Sequence, residues 1–235
     1  MNRALSLVGF KKSGKTKLML DLIRELKKRD IKVSAAKFCH HNFDRQDTDT
    51  DKIGSEAFDL AGFTESETLF YWSEKKYLPD LLPLMSGDVL LVEGGKTLGW
   101  LPRVLILKQP EDAAELDNGL ALATWGKVGT DYLPHLNNVE ELADLLLNKG
   151  FMLPGLDCGS CGYEACADLA AKIVSGIAAP GDCLARGAGL DIKVNGIPLG
   201  MNPFVERVIS KSILGMLSEL KGYSPGEVEI KITGR

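Results

Sequence analysis

Apolar and polar positions alternate in two rhythms along the first 150 residues. Ala4-Leu5-Ser6-Leu7-Val8 is a short continuous run of strand type, after which Leu18, Leu20, Leu22, Ile23 and Leu26 recur at helical spacing. A second strand is expected at residues 32–38, a helix near 54–61, a strand at 67–72, and a stretch at 78–85 broken by Pro79 and Pro83. Asp88-Val89-Leu90-Leu91-Val92-Glu93-Gly94-Gly95 is an unbroken apolar run that ends on an acid, the pattern of a strand buried on both faces of a parallel sheet. Residues 104–107 and 120–123 extend the sheet, and residues 139–147 form a closing amphipathic helix with Gly150 as its stop. Strands alternating with helices give an α/β fold: a mostly parallel sheet covered on both faces.

Beyond residue 150 the rhythm changes. Residues 149–155 read as a linker, residues 165–175 as a helix ended by Gly176, and Lys193 to Pro198 as a hairpin around Asn195-Gly196. Phe204, Val205, Val208, Ile209, Ile213, Met216, Leu217 and Leu220 trace one helical face, expected to be core, and residues 227–232 alternate as a final strand. The expected division is a nucleotide-binding domain at 1–150, a four-cysteine module at 151–190 and a hairpin-helix-strand segment at 191–235.

Between the first strand and the first helix lies GFKKSGKT, Gly9 to Thr16, which satisfies the phosphate-loop pattern G-x-x-x-x-G-K-[ST] in full. Gly9 and Gly14 let the backbone curl so that successive N–H groups point inward. Lys15 reaches the terminal phosphates, Thr16 can ligate Mg2+, and the helix adds its positive end. Gly9, Lys12, Ser13, Gly14, Lys15, Thr16 and Lys17 are therefore the candidate nucleotide contacts. Glu93, delivered to the edge beside the loop, is placed to complete the Mg2+ shell with Thr16 or to orient water, so Lys15 and Glu93 are the candidate catalytic pair. In the polar run 45–51, Mg2+ coordination through water by Asp49 or Asp51 competes with a solvated loop. His40 and His41 suit hydrogen-bonding or nucleotide-facing roles better than a metal site, because neighbours on an extended chain point to opposite faces.

Composition narrows the setting. With 26% charged residues and a formal net charge of −4, nothing suggests a polyanion-binding surface, so nucleic acid is not an expected partner. The N-terminus shows no charged leader followed by a long apolar stretch, so no membrane is expected and the cytoplasm is the default. Five cysteines, four of them between 158 and 183, argue for a metal site in a reducing compartment and against a disulfide framework. Cys158, Cys161, Cys166 and Cys183 are separated by two, four and sixteen residues. Three close ligands and one distant suit an iron–sulfur cluster, whereas zinc ribbons usually place two separated pairs.

Two resemblances follow from these residues. CGSCGYEAC, with Ala167, Gly176 and Cys183, resembles the four-cysteine [4Fe-4S] domain of electron-transfer subunits of the RnfB type and of corrinoid iron–sulfur proteins, although Cys183-Leu184 stands where Cys-Pro is usual. Residues 1 to about 150 resemble the molybdopterin-guanine dinucleotide biosynthesis protein B (MobB) family. The matching features are GFKKSGKT, Lys37-Phe38-Cys39-His40-His41, Ala61-Gly62, Leu91-Val92-Glu93-Gly94-Gly95-Lys96 and the strand resuming at Arg103. Departures are Cys39 for a histidine and Gly95 for a phenylalanine, and there is no N-K-x-D motif to read a base. This resemblance implies a weakly hydrolytic GTP-binding accessory, dimeric, that assists the nucleotidyltransferase attaching GMP to molybdopterin, in molybdenum or tungsten cofactor maturation. ATP in place of GTP stays open, and the cluster would be a redox or docking module. The alternative is a nucleotide-gated electron carrier or reductive activator of a client metalloenzyme. Proteins of the nitrogenase iron-protein type carry lysine as the second loop residue, where this chain has Phe10.

Overall fold

The computed structural model describes residues 2–39, 52–53, 56–72, 74–185, 190, 192–194, 197–199, 201, 203–224, 226 and 228–232. His40, His41, Asp49, Asp51 and the Asn195-Gly196 turn lie outside them. In chain order the strands are β1 (Arg3–Gly9), β2 (Val33–Lys37), β3 (Asp59–Phe63), β4 (Thr68–Trp72), β5 (Val89–Glu93), β6 (Arg103–Ile106), β7 (Ala121–Trp125), β8 (His135–Leu136), β9 (Lys193–Val194) and β10 (Ile197–Pro198). Six of them form one sheet of order β2-β5-β1-β6-β7-β8. Every neighbouring pair in it is parallel, so all six carboxyl ends gather at one edge. The chain leaves β1 for β2 and β5 on one side and returns to β6 on the other. This reversal at β1 is where ligands bind in open α/β sheets.

Alternation along the central strands decides the layers. Leu5 and Leu7 of β1 and Val89 and Leu91 of β5 face one side, where Leu18, Leu22 and Leu26 of α1 (Lys15–Lys28) cover them. Leu142, Ala143 and Leu146, which join the same core, come from a later helix, Val139–Lys149. Ala4, Leu90 and Val92 face the other side. There the cover is Leu78 from α2 (Leu78–Leu81), Phe151, Leu153, and Leu169 and Ala170 from the helix Cys166–Val174. The cysteine-bearing segment thus shares a core with the sheet, and each fully buried leucine in it contributes roughly 1.5–3 kcal/mol. A short helix, α3 (Asp112–Leu116), and β8 were not anticipated from the pattern. The later helices are accordingly α4 (Val139–Lys149), α5 (Cys166–Val174) and α6 (Pro203–Ser218). Asn138 Oδ1 caps α4 by accepting from Glu140 N at 2.8 Å. Arg29 ties α1 to α4, donating to Glu25 at 2.9 Å and Asp144 at 2.5 Å.

Three expectations are corrected. The helix expected near 54–61 is found only at its start, where Lys52, Ile53 and Glu56 are helical and Ala57 N donates to Ile53 O at 2.9 Å; from Asp59 the chain is strand, and β3 pairs antiparallel with β4 in a two-stranded ladder separate from the main sheet. Thr64 Oγ1 closes its turn by accepting from Ser66 N and Glu67 N, and Phe70 and Trp72 pack with ring centroids 4.5 Å apart. The expected strand at 227–232 is absent among the described residues there: Val228, Ile230 and Ile232 alternate correctly but stay 38%, 51% and 86% exposed, without a ladder. The apolar stripe of α6 forms on a helix as expected yet is not core, for Phe204, Val208, Met216 and Leu220 remain exposed. Helix α4 does end at Gly150, but φ there is −66°, so a left-handed cap is not the reason for glycine. A Cβ would stand 2.4 Å from Leu146 O. No described helix is long and apolar enough to cross a membrane.

Candidate functional site

The phosphate loop emerges from β1 at the carboxyl edge. Gly9 must lack a side chain, since a Cβ would meet Ile106 O and Ser13 Oγ, each at 2.6 Å. Lys12 and Gly14 then adopt φ of 62° and 93°, which turns successive amides inward as a nest. Gly14 caps α1 without a side-chain bond, and the first turn of α1 carries no acid, so its positive end is uncompensated. Ser13 Oγ is buried with no hydrogen-bond partner among the described residues. Lys15 Nζ folds back to donate to Gly9 O (3.0 Å) and Phe10 O (2.7 Å). A buried hydroxyl with no partner among the described residues, the uncompensated first turn of α1 and a lysine resting on carbonyls of its own loop form a cradle that fits a phosphate chain. Lys12, Thr16 and Lys17 are exposed along it.

Across the strand, Glu93 is buried at the end of β5, and Thr16 Oγ1 donates to both its oxygens at 2.8 and 3.0 Å. The two residues expected to share a cation are therefore already in contact. Lys37 Nζ lies 3.4 Å from Glu93 Oε1, because β2 and β5 run in register with Lys37 opposite Glu93. Burial pushes the Lys15 pKa below its ordinary value, Glu93 opposes this, and Lys96, Lys108 and Lys37 add to it. Lys96 Nζ stands 4.1 Å from the centre of the Phe10 ring and 3.2 Å from Glu115. Lys37, Lys96 and Lys108 were not singled out in the sequence as site residues. The parallel register would have found the first, and their shared position just past strand ends the other two.

The four cysteines line one hollow with Leu156 and Tyr163. Its loop turns through Gly155, Asp157, Gly159 and Gly162, all at positive φ. Asp157 Oδ1 accepts from Cys166 N at 2.6 Å, which holds the loop against the start of α5. Cys183 follows the 3-10 turn Pro180–Asp182 and is buried, whereas Cys158 is exposed. Cys158 Sγ donates to Ser160 Oγ at 3.4 Å, and the same hydroxyl, turned to face the thiolate, holds the Cys158 pKa below the usual thiol range. Burial pushes Cys166 up. Among the described residues, no three or more His, Cys, Asp and Glu side chains crowd round a point that could hold a single metal ion. Four thiols spread around one largely apolar hollow are a donor set that fits a polynuclear iron–sulfur group.

A family model for molybdopterin guanine dinucleotide synthesis protein B matches residues 4–125, just over half of the chain. The chain belongs to the MobB family. A second family model, provisionally for an Fe-S cluster, matches residues 153–185. A relative in Methanocaldococcus jannaschii, provisionally named a molybdopterin-guanine dinucleotide biosynthesis adapter protein, is 26% identical over 246 residues, 98% of this chain and 97% of its own. The Haemophilus influenzae molybdopterin-guanine dinucleotide biosynthesis adapter protein is 29% identical over 161 residues, 61% of this chain and 87% of its own. The crystal structure of Bacillus subtilis MobB shares the fold, with a TM-score of 0.52 at 23% identity over 62% of this chain and 96% of that one. The likeness to the M. jannaschii protein therefore runs on through the cysteine segment, whereas the solved MobB structure matches under two thirds of the chain.

Proposed function

We propose that this MobB-family protein binds Mg-GTP in the phosphate loop and serves as an accessory to the nucleotidyltransferase that converts molybdopterin to its guanine dinucleotide form. The observation that carries the reading is the contact between Thr16 and Glu93 at the mouth of a loop whose buried Ser13 hydroxyl has no partner among the described residues. In this reading Lys15 leaves the Gly9 and Phe10 carbonyls for the terminal phosphates. The loop amides, with Gly9, Lys12, Ser13, Gly14 and Lys17 around them, hold the rest of the chain. Thr16 and Glu93 hold Mg2+. Lys37 and Lys96 are half-neutralised by Glu93 and Glu115, so they and Lys108 balance the triphosphate without over-binding it. No strong base faces the position of an attacking water in this set, so turnover is slow without an activator.

Cys158, Cys161, Cys166 and Cys183 would ligate a [4Fe-4S] cluster. Such a cluster supplies a one-electron redox centre when bound. The chain's own part is to shield it with Leu156 and Tyr163 and to set its register through Asp157. Functionally we divide the chain into 1–150, 151–190 and 191–235, place it in the cytoplasm, and expect a homodimer. The shared core under the cysteine segment favours a second reading, an electron carrier gated by nucleotide.

The test is anaerobic purification with iron and acid-labile sulfide analysis, then parallel titration with Mg-GTP and Mg-ATP. Tighter GTP binding with no change in cluster potential supports the accessory. A nucleotide-induced fall in potential supports the carrier, and absence of iron and sulfide refutes the ligand set.

A further inference from the structure

One unbroken run of chain joins the phosphate edge to the cysteine segment. It starts at Glu93 and ends at Leu101. Gly94 and Gly95 turn with φ of 86° and 67°, and the turn is tied to β1 because Ser6 Oγ donates to Gly94 O at 2.7 Å and Gly94 N donates to Leu7 O at 3.0 Å. Lys96, over the Phe10 ring, touches the phosphate loop. At the far end Gly99 faces Ala167, the residue after Cys166, so closely that a methyl on Gly99 would stand 2.8 Å from Ala167 Cβ. Trp100 follows, buried, its carbonyl accepting Leu153 N at 2.8 Å. Its ring lies on Gly155, where a Cβ would come within 2.9 Å of Cδ1.

Just past this run, at the start of β6, sits Arg103, 2% exposed. Its Nη2 donates to Lys96 O (3.1 Å) and Leu98 O (2.9 Å), and its Nη1 to Leu116 O (3.0 Å). Its Nε is buried with no partner among the described residues. A buried guanidinium is costly, and here its bonds go to main-chain carbonyls, two of them in this one run. It ties the backbone at Lys96 and Leu98 to one side chain.

We propose that residues 94–101 form a strap, pinned by Arg103 as a positioning residue, that couples occupation of the phosphate loop to the packing of the cysteine segment. The proposal rests on the nucleotide reading above. Were Thr16 and Glu93 to hold a cation between them, their direct hydrogen bond would be replaced and the end of β5 would lose its ligand-free contact. The strap cannot absorb the change locally, since Arg103 holds Lys96 and Leu98 together. The change is delivered instead at Gly99 against Ala167 and at Trp100 against Gly155, next to Cys166 and Cys158. Linkage makes the effect reciprocal: loss of the cysteine-bound group changes nucleotide affinity by the same factor.

Hydrogen–deuterium exchange of the full chain, purified anaerobically, with and without Mg-GTP, tests this. The coupling is expected to slow exchange in peptides covering 9–16 and also, by about fivefold or more, in peptides covering 155–170. Arg103→Lys and, independently, Gly99→Ala are expected to keep the protection at 9–16 and lose it at 155–170. A general loosening of the fold would remove both, which separates positioning from structural support, and Gly99→Ala keeps the test in force if Arg103→Lys does not fold. Protection confined to 9–16 in the unaltered protein overturns the strap and leaves the nucleotide reading standing. Protection nowhere overturns both. Protection at 155–170 that survives both substitutions overturns the strap as its route.

Discussion

The phosphate edge and the cysteine hollow sit on one sheet but are built from different parts of the chain. The first is made of main chain, and its shape follows from β1, from the left-handed turns at Lys12 and Gly14, and from the start of α1. The second is made of side chains on irregular backbone, flanked by α5 and the short 3-10 turn before Cys183. A nest of amides exists whether or not an anion is present, because the strand and helix that flank it fold for their own reasons. A ring of thiols has no such independence. It is held by apolar packing of Phe151, Leu153 and Leu169 against the sheet and by single bonds such as that from Cys166 N to Asp157.

The sharpest way to break this contrast is to loosen the shared core. Leu169 is fully buried in α5. Leu169→Ala is expected to destabilise the chain by about 2–5 kcal/mol in denaturant unfolding and to release cluster iron while Mg-GTP affinity falls much less. Equal loss at both sites would mean that the two regions stand or fall together. Lys15→Ala probes the opposite arm. It should weaken Mg-GTP by about 2–3 kcal/mol in calorimetric titration, with the visible absorption of the iron–sulfur group unchanged. The smallest effect is on pH. Because burial and neighbouring lysines hold the free Lys15 below its ordinary pKa, its charge is lost at a lower pH than for an exposed lysine. Phosphate favours the charged form, so Mg-GTP affinity should fall as pH rises through that depressed value, and Lys15→Arg should remove the dependence.

The same contrast explains what was legible in the sequence. The phosphate loop and Glu93 were readable because a short motif, a buried strand and the sheet's common edge require one another, and Thr16 does meet Glu93. The four cysteines were readable from spacing, and they do line one hollow. That the cysteine segment covers a face of the sheet was not readable, since Ala4, Val92, Leu120 and Leu169 meet only in three dimensions. Helix was expected near 54–61, and pairing with β4 decides for strand from Asp59 onward. Residues 228–232 carry strand alternation but no ladder, and alternation alone does not make a sheet. Lys37 and Lys96 lie in stretches that match the family but, like Lys108, carried no assigned role, and they became site residues only through register and strand ends.

The most direct measurement of the central claim is an amide-resolved NMR titration of the intact chain with Mg-GTP. The account predicts that the largest shifts fall on the amides of Gly14, Lys15 and Thr16 and on the Ser13 hydroxyl's own residue, saturating at one nucleotide per chain. Unchanged amides across residues 9–17 while GTP binds elsewhere, or no binding at all, would contradict it.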